Sequence, residues 1–283
     1  MMKSLLEILK AAQQYLLDKK ISFSKREAEL LLAHVLSLQR MDLYLQYDRP
    51  LTKEEVDEYR RLIKRRGNNE PIAYIIGSVP FFGALIEVSK NVLIPRQETE
   101  LLVDLIANRL SKVDLSNKVL IDVCTGSGCI AVSLKKRFPS LRVIGIDLSK
   151  DALETARKNA LLNQVEVEFL EGDGLNPFVQ KADFFVSNPP YVKEEEYEGL
   201  EDEVRLFEPK MALVSGHSGI EFYERFEKEL PPKLNPGAKI FFEIGCLQGD
   251  LVAKVFSNRP VWRNLQIEKD YEDKDRFISL EFV

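Results

Sequence analysis

Apolar residues recur at helical spacing through the first quarter of the chain. They are Leu5, Leu6, Leu9, Ala12 and Leu16, then Ala28, Leu31, Leu32, Val35 and Leu36. This periodicity predicts amphipathic helices. Ser24 with Glu27, and Thr52 with Glu55, read as capping boxes that open two of them. Gly67, the first glycine of the chain, and Pro71 end the last. Residues 1–75 therefore read as a small helical bundle. Over residues 76–95 the texture becomes short, aromatic and β-branched with glycines between, which predicts a β-hairpin linking two domains.

Residues 96–283 alternate between strand-like and helical runs. KVLIDV, LRVIGID, VEVEFLEGD, ADFFVSNPP and AKIFFEIG read as strands, with a long helical stretch expected between the last two. NLQIEK and RFISLEF read as a closing hairpin. The alternation predicts an α/β fold with a doubly wound, mostly parallel sheet, to which the hairpin adds an antiparallel edge strand.

Composition changes this picture little. Of 283 residues, 45% are hydrophobic and 30% charged, a globular balance that leaves no run of transmembrane length. The expected location is the cytoplasm. Three cysteines and two histidines without ligand spacing argue against a metal site. The net charge of −5 is uneven: residues 1–85 carry +3 and the remainder −8. RRLIKRR, Arg60 to Arg66, is the densest basic stretch and reads best as a solvated helix face.

Candidate chemistry begins at the first strand of the sheet, which runs into Asp122-Val-Cys-Thr-Gly-Ser-Gly128. Glycines here let the backbone turn tightly and approach a ligand beyond the strand ends. Asp147 ends the next strand, where a carboxylate can take both ribose hydroxyls of a nucleoside. The loop is not GxGxxG, and Asp122 suits an ammonium better than a pyrophosphate. S-adenosylmethionine fits these features, with Asp173 placed toward the adenine. The strand FFVS ends in Asn188-Pro-Pro-Tyr191. The prolines stiffen the chain and leave carbonyls with no neighbouring donors. The Asn188 oxygen and the Pro189 carbonyl could accept the two hydrogens of a planar NH₂ group, and Tyr191 could stack on its plane. An exocyclic base amine and a carboxamide both satisfy this cradle. Holding such a nitrogen toward a sulfonium methyl needs positioning rather than a strong base.

NPPY behind a glycine loop and a ribose acid resembles the amino-group methyltransferases of the S-adenosylmethionine-dependent, Rossmann-like class. EPIAYIIG, FFGALIEVSKNVLIPRQETELL, DVCTGSGCIA, EPKMALVSGHSGIEFYERF and FEIGCLQG, in this order, resemble the HemK/PrmC family of peptide chain release factor glutamine N5-methyltransferases. The resemblance implies a substrate, the glutamine of the GGQ motif in class I release factors, with an effect on translation termination. It implies S-adenosylhomocysteine as product and a helical N-terminal domain that helps hold the protein substrate. Carried over, Cys124, Thr125, Gly126, Ser127 and Gly128 would wrap the methionine part of the cofactor, and Asp147 would hold the ribose. Asp173 and Gly174 would border the adenine. Asn188, Pro189, Pro190 and Tyr191 would hold the glutamine, and Asn188 would also touch the cofactor. Arg96, Glu98 and Thr99 would stand near the shared pocket. Gln97 replaces a usual proline, Cys124 a common glycine, and Asn69 the glycine of GEP. A ribosomal-protein glutamine methyltransferase shares the chemistry. A DNA adenine methyltransferase shares NPPY, but the −8 of the catalytic region is weak for phosphate tracking, so no direct DNA binding is expected. A cofactor-binding adaptor or a nicotinamide oxidoreductase would leave NPPY without a role. No membrane association is expected.

Overall fold

A computed structural model describes residues 4–283, which form two compact units. Among the described residues the first unit runs to Gly77 and includes Glu201–Phe207, and the second is Ser78–Leu200 with Glu208–Val283.

The first unit contains α1 (Leu5–Asp18), α2 (Ser24–Leu36), α3 (Lys53–Arg66) and the short α4 (Ile72–Ile76). Leu5, Leu9, Leu16, Ala28, Leu31 and Leu62 meet in its core, as the periodicity predicts. Thr52 and Glu55 form the expected capping box on α3. The box expected at Ser24 does not form: α2 begins at Ser24 itself, without a side-chain cap. Glu27 is drawn elsewhere. Its carboxylate takes the buried Arg66 guanidinium at 2.5 Å, and the same guanidinium reaches Glu203 at 2.7 Å and the Glu70 carbonyl at 3.1 Å. A guanidinium removed from water needs its donors satisfied, and that need outweighs one cap bond. Asn69 takes the left-handed conformation expected of it, with φ of 63°.

The second unit opens with a hairpin of β1 (Ser78–Phe81) and β2 (Ala84–Glu87). Phe82 and Gly83 at its tip both have positive φ, the geometry of a type I′ turn. There follow α5 (Gln97–Leu110), β3 (Val119–Val123), α6 (Cys129–Arg137), β4 (Arg142–Asp147), α7 (Lys150–Leu162), β5 (Glu168–Glu171) and β6 (Ala182–Ser187). After β6 come the two-residue β7 (Val192–Lys193), α8 (Asp202–Phe207, counted with the first unit), β8 (Val214–Gly216) and α9 (Glu221–Glu229). The chain closes with β9 (Leu234–Glu243), α10 (Gly249–Ser257), β10 (Trp262–Lys269) and β11 (Asp275–Phe282). The long helix expected before β9 is thus broken into short pieces. Gly199, Pro209, Gly216 and Gly219 each interrupt it.

Seven strands form one sheet in the order β10-β11-β9-β6-β3-β4-β5. The five strands from β9 to β5 are parallel, and β11 is antiparallel to both its neighbours. The closing hairpin therefore adds two strands at one edge. Phe185, Phe226, Phe242 and Phe256 pack between sheet and helices, with Phe185 and Phe242 ring centroids 5.3 Å apart. No helix among the described residues is long and apolar enough to cross a membrane.

Two asparagines one turn apart, Asn159 on α7 and Asn163 capping its C-terminus, pair with β2 as a neighbouring strand would. Asn159 accepts from the Glu87 N–H at 2.7 Å and donates to the Glu87 carbonyl at 3.0 Å. Asn163 makes the same pair of bonds with Leu85, at 3.1 and 2.7 Å. Asn159 is fully buried and its second amide hydrogen reaches the Ser127 carbonyl at 2.8 Å. It therefore ties the hairpin to the glycine loop. Asn159→Ala strands three backbone groups and is expected to destabilise the protein by about 3 kcal/mol, whereas Asn163→Ala, at a more exposed site, costs about 1 kcal/mol or less. Urea unfolding of both variants checks the difference, and equal losses would contradict this account of the anchor.

Candidate active site

β3 and β6 are parallel neighbours whose last residues pair, Val123 with Ser187. The chain turns to β4 after β3 and returns on the other side to reach β6, so a crevice opens between the two strand ends. A cleft lies there. Val123, Cys124, Gly126, Asp147, Asp173, Gly174, Asn188 and Pro190 line it, as do Asn91 to Leu93 from the segment after the hairpin.

The glycine loop splits into two roles. Cys124 and Gly126 face the cleft. Cys124 has φ of 62°, a left-handed conformation that costs a non-glycine residue roughly 1–2 kcal/mol, which explains why glycine is usual there. Burial raises its thiol pKa, as it does that of Cys129, pushed up to about 12. Thr125, Ser127 and Gly128 do not line the cleft; they hold the loop. The Thr125 hydroxyl donates to Asp122 at 2.6 Å. Gly128 has φ of 76°, and a Cβ there would stand 3.0 Å from the Ala156 Cβ on α7.

Asp122 is corrected by the structure. It lies one residue inside β3, fully buried, and does not reach the cleft where an ammonium could meet it. One oxygen accepts from Thr125 and from the Ala131 N–H at 3.2 Å, and Oδ1 has no hydrogen-bond partner. Burial pushes its pKa up to about 7.

Asp147 stands where the sequence places it. Oδ2 accepts from the Gly126 N–H at 2.8 Å and Oδ1 from the Ser149 N–H at 2.8 Å. Burial raises its pKa while these bonds lower it. Each oxygen keeps a lone pair for a further donor. The Asp173 carboxylate is engaged by Arg225 at 2.5 Å, and a Cβ on Gly174 would stand 2.6 Å from the same guanidinium. Apolar surface comes instead from the Phe222 ring and from Leu148 and Met211; Met211 and Phe222 lie in EPKMALVSGHSGIEFYERF, which assigned them no role.

On the far side of Asn188 lies a second, buried group. The Asn188 amide nitrogen donates to the Thr99 hydroxyl at 3.2 Å, and that hydroxyl donates to Glu243 at 2.7 Å. Thr99 and Glu243 are buried. Pro189 is buried and does not line the cleft, and neither does Tyr191, which packs against the aromatic core. The Tyr191 carbonyl accepts from Gln248 at 2.9 Å. Arg96 and Glu98 are also absent from the cleft lining. Arg96 pairs with buried Glu208 at 2.5 Å, and Glu208 also accepts from the Ile94 N–H at 3.0 Å. Gln97 is the first residue of α5, where the N–H is unpaired within the helix in any case; replacing a proline there sacrifices only its preset φ. Glu208 and Glu243 lie in EPKMALVSGHSGIEFYERF and FEIGCLQG, but neither they nor Asn159 carry a role legible in the sequence, because each acts on a partner more than 70 residues away.

Two raised acids set a pH dependence. The pKa of Asp122 goes from 3.8 to about 7 and that of Glu243 from 4.5 to about 7, both chiefly by burial. A raised acid favours folding while neutral, so its contribution is complete below the unfolded value and is lost as pH rises through about 7. Glu221, held down to about 2, acts only below its ordinary 4.5. Thermal unfolding at fixed ionic strength is expected to show a melting temperature that falls from about pH 5 to about pH 8. Asp122→Asn should flatten part of that slope, and a level profile in the unmodified protein would contradict it.

Comparison with known proteins agrees with this geometry. A model described as the PrmC N-terminal domain matches residues 7–77, and the methyltransferase small domain matches residues 97–206. Among solved structures, a methyltransferase from Pyrococcus furiosus shares the fold at a TM-score of 0.52 and 18% identity, covering 71% of this chain and 89% of that one. A Thermus thermophilus 16S rRNA N2 G1207 methyltransferase, solved with AdoMet and guanosine, does so at 0.53 and 16%, covering 73% and 50%. A Chlorobaculum tepidum protein named release factor glutamine methyltransferase is 38% identical, covering 98% of this chain and 96% of that one. Proteins of the same name from Chlamydia trachomatis serovar L2 and Bacillus subtilis are 39% and 37% identical, covering 97% and 98% of this chain and 93% and 97% of theirs. By fold and by near full-length similarity, this chain belongs to the release factor glutamine methyltransferase family.

Proposed function

We propose that this enzyme transfers a methyl group from S-adenosylmethionine to the side-chain nitrogen N5 of the GGQ glutamine in class I release factors. The observation that carries the reading is the adjacency of Asn188 and the Asp147-anchored loop in one cleft. The residues fit the cofactor. Asp147 offers two oxygens, already fixed by backbone N–H groups, to a pair of ribose hydroxyls. Phe222, Leu148 and Met211 offer apolar faces to a base, and Gly126 leaves room for the backbone to approach. When bound, S-adenosylmethionine supplies an electrophilic methyl group.

The chain's part is to present the nucleophile. Asn188 Oδ1, which lines the cleft, accepts one hydrogen of the glutamine carboxamide. The Pro189 carbonyl and the Tyr191 ring lie behind that lining, and would take the second hydrogen and the plane only once the NPPY segment opens to admit the glutamine. These bonds hold the nitrogen lone pair toward the methyl group. As the N–CH₃ bond forms the S–CH₃ bond would break, leaving S-adenosylhomocysteine; the nitrogen is acidic only once methylated, so its proton would pass to water without a strong base. Preset acceptors need little reorganisation during the reaction, and such electrostatic positioning can carry much of the barrier. The helical first unit, residues 1–75, would hold the body of the release factor, with residues 76–95 as the linking hairpin and residues 96–283 as the catalytic domain. The reaction would take place in the cytoplasm, where release factors work.

Incubation with radiolabelled S-adenosylmethionine is expected to label purified release factor and not its GGQ→GGA variant or duplex DNA. Label on DNA alone would reassign the reaction to a base amine. Asn188→Ala should abolish transfer while cofactor affinity, measured by calorimetry, stays within about threefold. Asp147→Ala should weaken cofactor binding by about 1.5–3 kcal/mol, the worth of a hydrogen bond to a charged group. Retained transfer in the first variant, or unchanged affinity in the second, would contradict the assigned roles.

A further inference from the structure

We propose that Glu243 is a positioning residue for methyl transfer: through the Thr99 hydroxyl, its carboxylate fixes which end of the Asn188 amide faces the acceptor nitrogen. The inference rests on the function proposed above and extends it to a residue outside the NPPY motif.

The argument is a count of protons. An ionised carboxylate only accepts, and a threonine hydroxyl has one hydrogen to give. Thr99 Oγ1 lies 2.7 Å from Glu243 Oε2, so its hydrogen goes there. Thr99 can then only accept from Asn188, at 3.2 Å, and the atom it accepts from must be the amide nitrogen. Asn188 Oδ1 is thereby turned away from Thr99 and is available as an acceptor. An NH₂ group brought to Asn188 requires that acceptor.

A neutral Glu243 removes the constraint. A carboxylic acid can donate to Thr99, whose own hydrogen is then free to turn toward Asn188 Oδ1. The amide rotates, and its NH₂ faces the substrate NH₂. Two donors then oppose each other, and the cradle loses one of its two acceptors.

The surroundings place this choice near neutral pH. Arg276 on β11 and Arg96 before α5 favour the ionised form, whereas burial and Glu98 oppose it. Tyr191, Cys129 on α6 and Tyr223 on α9 complete the shell, and the Tyr223 hydroxyl donates to the Glu243 carbonyl at 2.7 Å. The carboxyl is pushed up to about 7. Turnover should therefore rise with pH through about 7, the opposite sign to the stability trend.

Kinetics on release factor and a spectroscopic signal test this together. Glu243→Leu and Thr99→Val are expected to lower kcat roughly 100-fold, the scale for one misdirected catalytic dipole, with the cofactor Kd within about threefold. Glu243→Leu removes a carboxyl whose charged form burial already disfavours, and Thr99→Val nearly keeps shape, so the two variants guard one another against misfolding. Thr99→Ser should restore kcat to within about fivefold, and Glu243→Gln should remove the pH rise. The ¹⁵N side-chain amide signal of Asn188, assigned by its loss in Asn188→Ala, should titrate with a midpoint of about 7 in the unmodified protein and not in Glu243→Gln. That signal needs no substrate. A titrating signal with no methylation of release factor would sink the substrate assignment and leave the relay standing. Values of kcat within about threefold of the unmodified enzyme in both Glu243→Leu and Thr99→Val would overturn the relay itself.

Discussion

The site depends on the register between β3 and β6. Asp122 pairs with Val186 and Val123 with Ser187, so the two strands end at the same level. The next residues, Cys124 and Asn188, open the two loops that form the cleft. The Ser187 hydroxyl donates to the Val123 carbonyl at 2.6 Å, satisfying a backbone group at the point where strand pairing stops. Burial enforces this register. Ile121, Val123 and Phe185 face one core, and a slip of one residue would exchange every side chain between the faces of the sheet. The glycine loop and the NPPY segment are thus brought together by hydrophobic packing well below them.

How much of this could be read from the chain depended on distance along it. The parallel sheet was legible because each strand and helix carries its own periodicity. The glycine loop, Asp147 and NPPY were legible because each combines residues whose backbone or side-chain chemistry is unusual at a strand end. Asp122 was misplaced for a geometric reason. It looks like part of the loop, but it still belongs to β3, and its carboxylate lies within the layer between sheet and α6. The capping box at Ser24 was lost to an ion pair 39 residues away, since a local preference of about 1 kcal/mol yields to a buried guanidinium that needs partners. The Asn188–Thr99–Glu243 chain spans 89 and 144 residues, and no local pattern records it.

The polar groups around the cleft have a common property: their orientations are set from behind. Asp147 is held by two backbone N–H groups, Asn188 by Thr99, and the segment from Ile94 to Arg96 by the buried carboxylate of Glu208. An amide lone pair is a poor nucleophile, and no histidine or thiolate in NPPY compensates for that. On the proposed function, rate enhancement then comes from dipoles that do not move during the reaction. Rigidity of this kind requires buried partners, and buried partners include acids taken out of water. Asp122 and Glu243 are the result, both raised toward neutrality and neither touching the cleft. Their cost to folding is the counterpart of a cleft whose polar groups are held in place from behind.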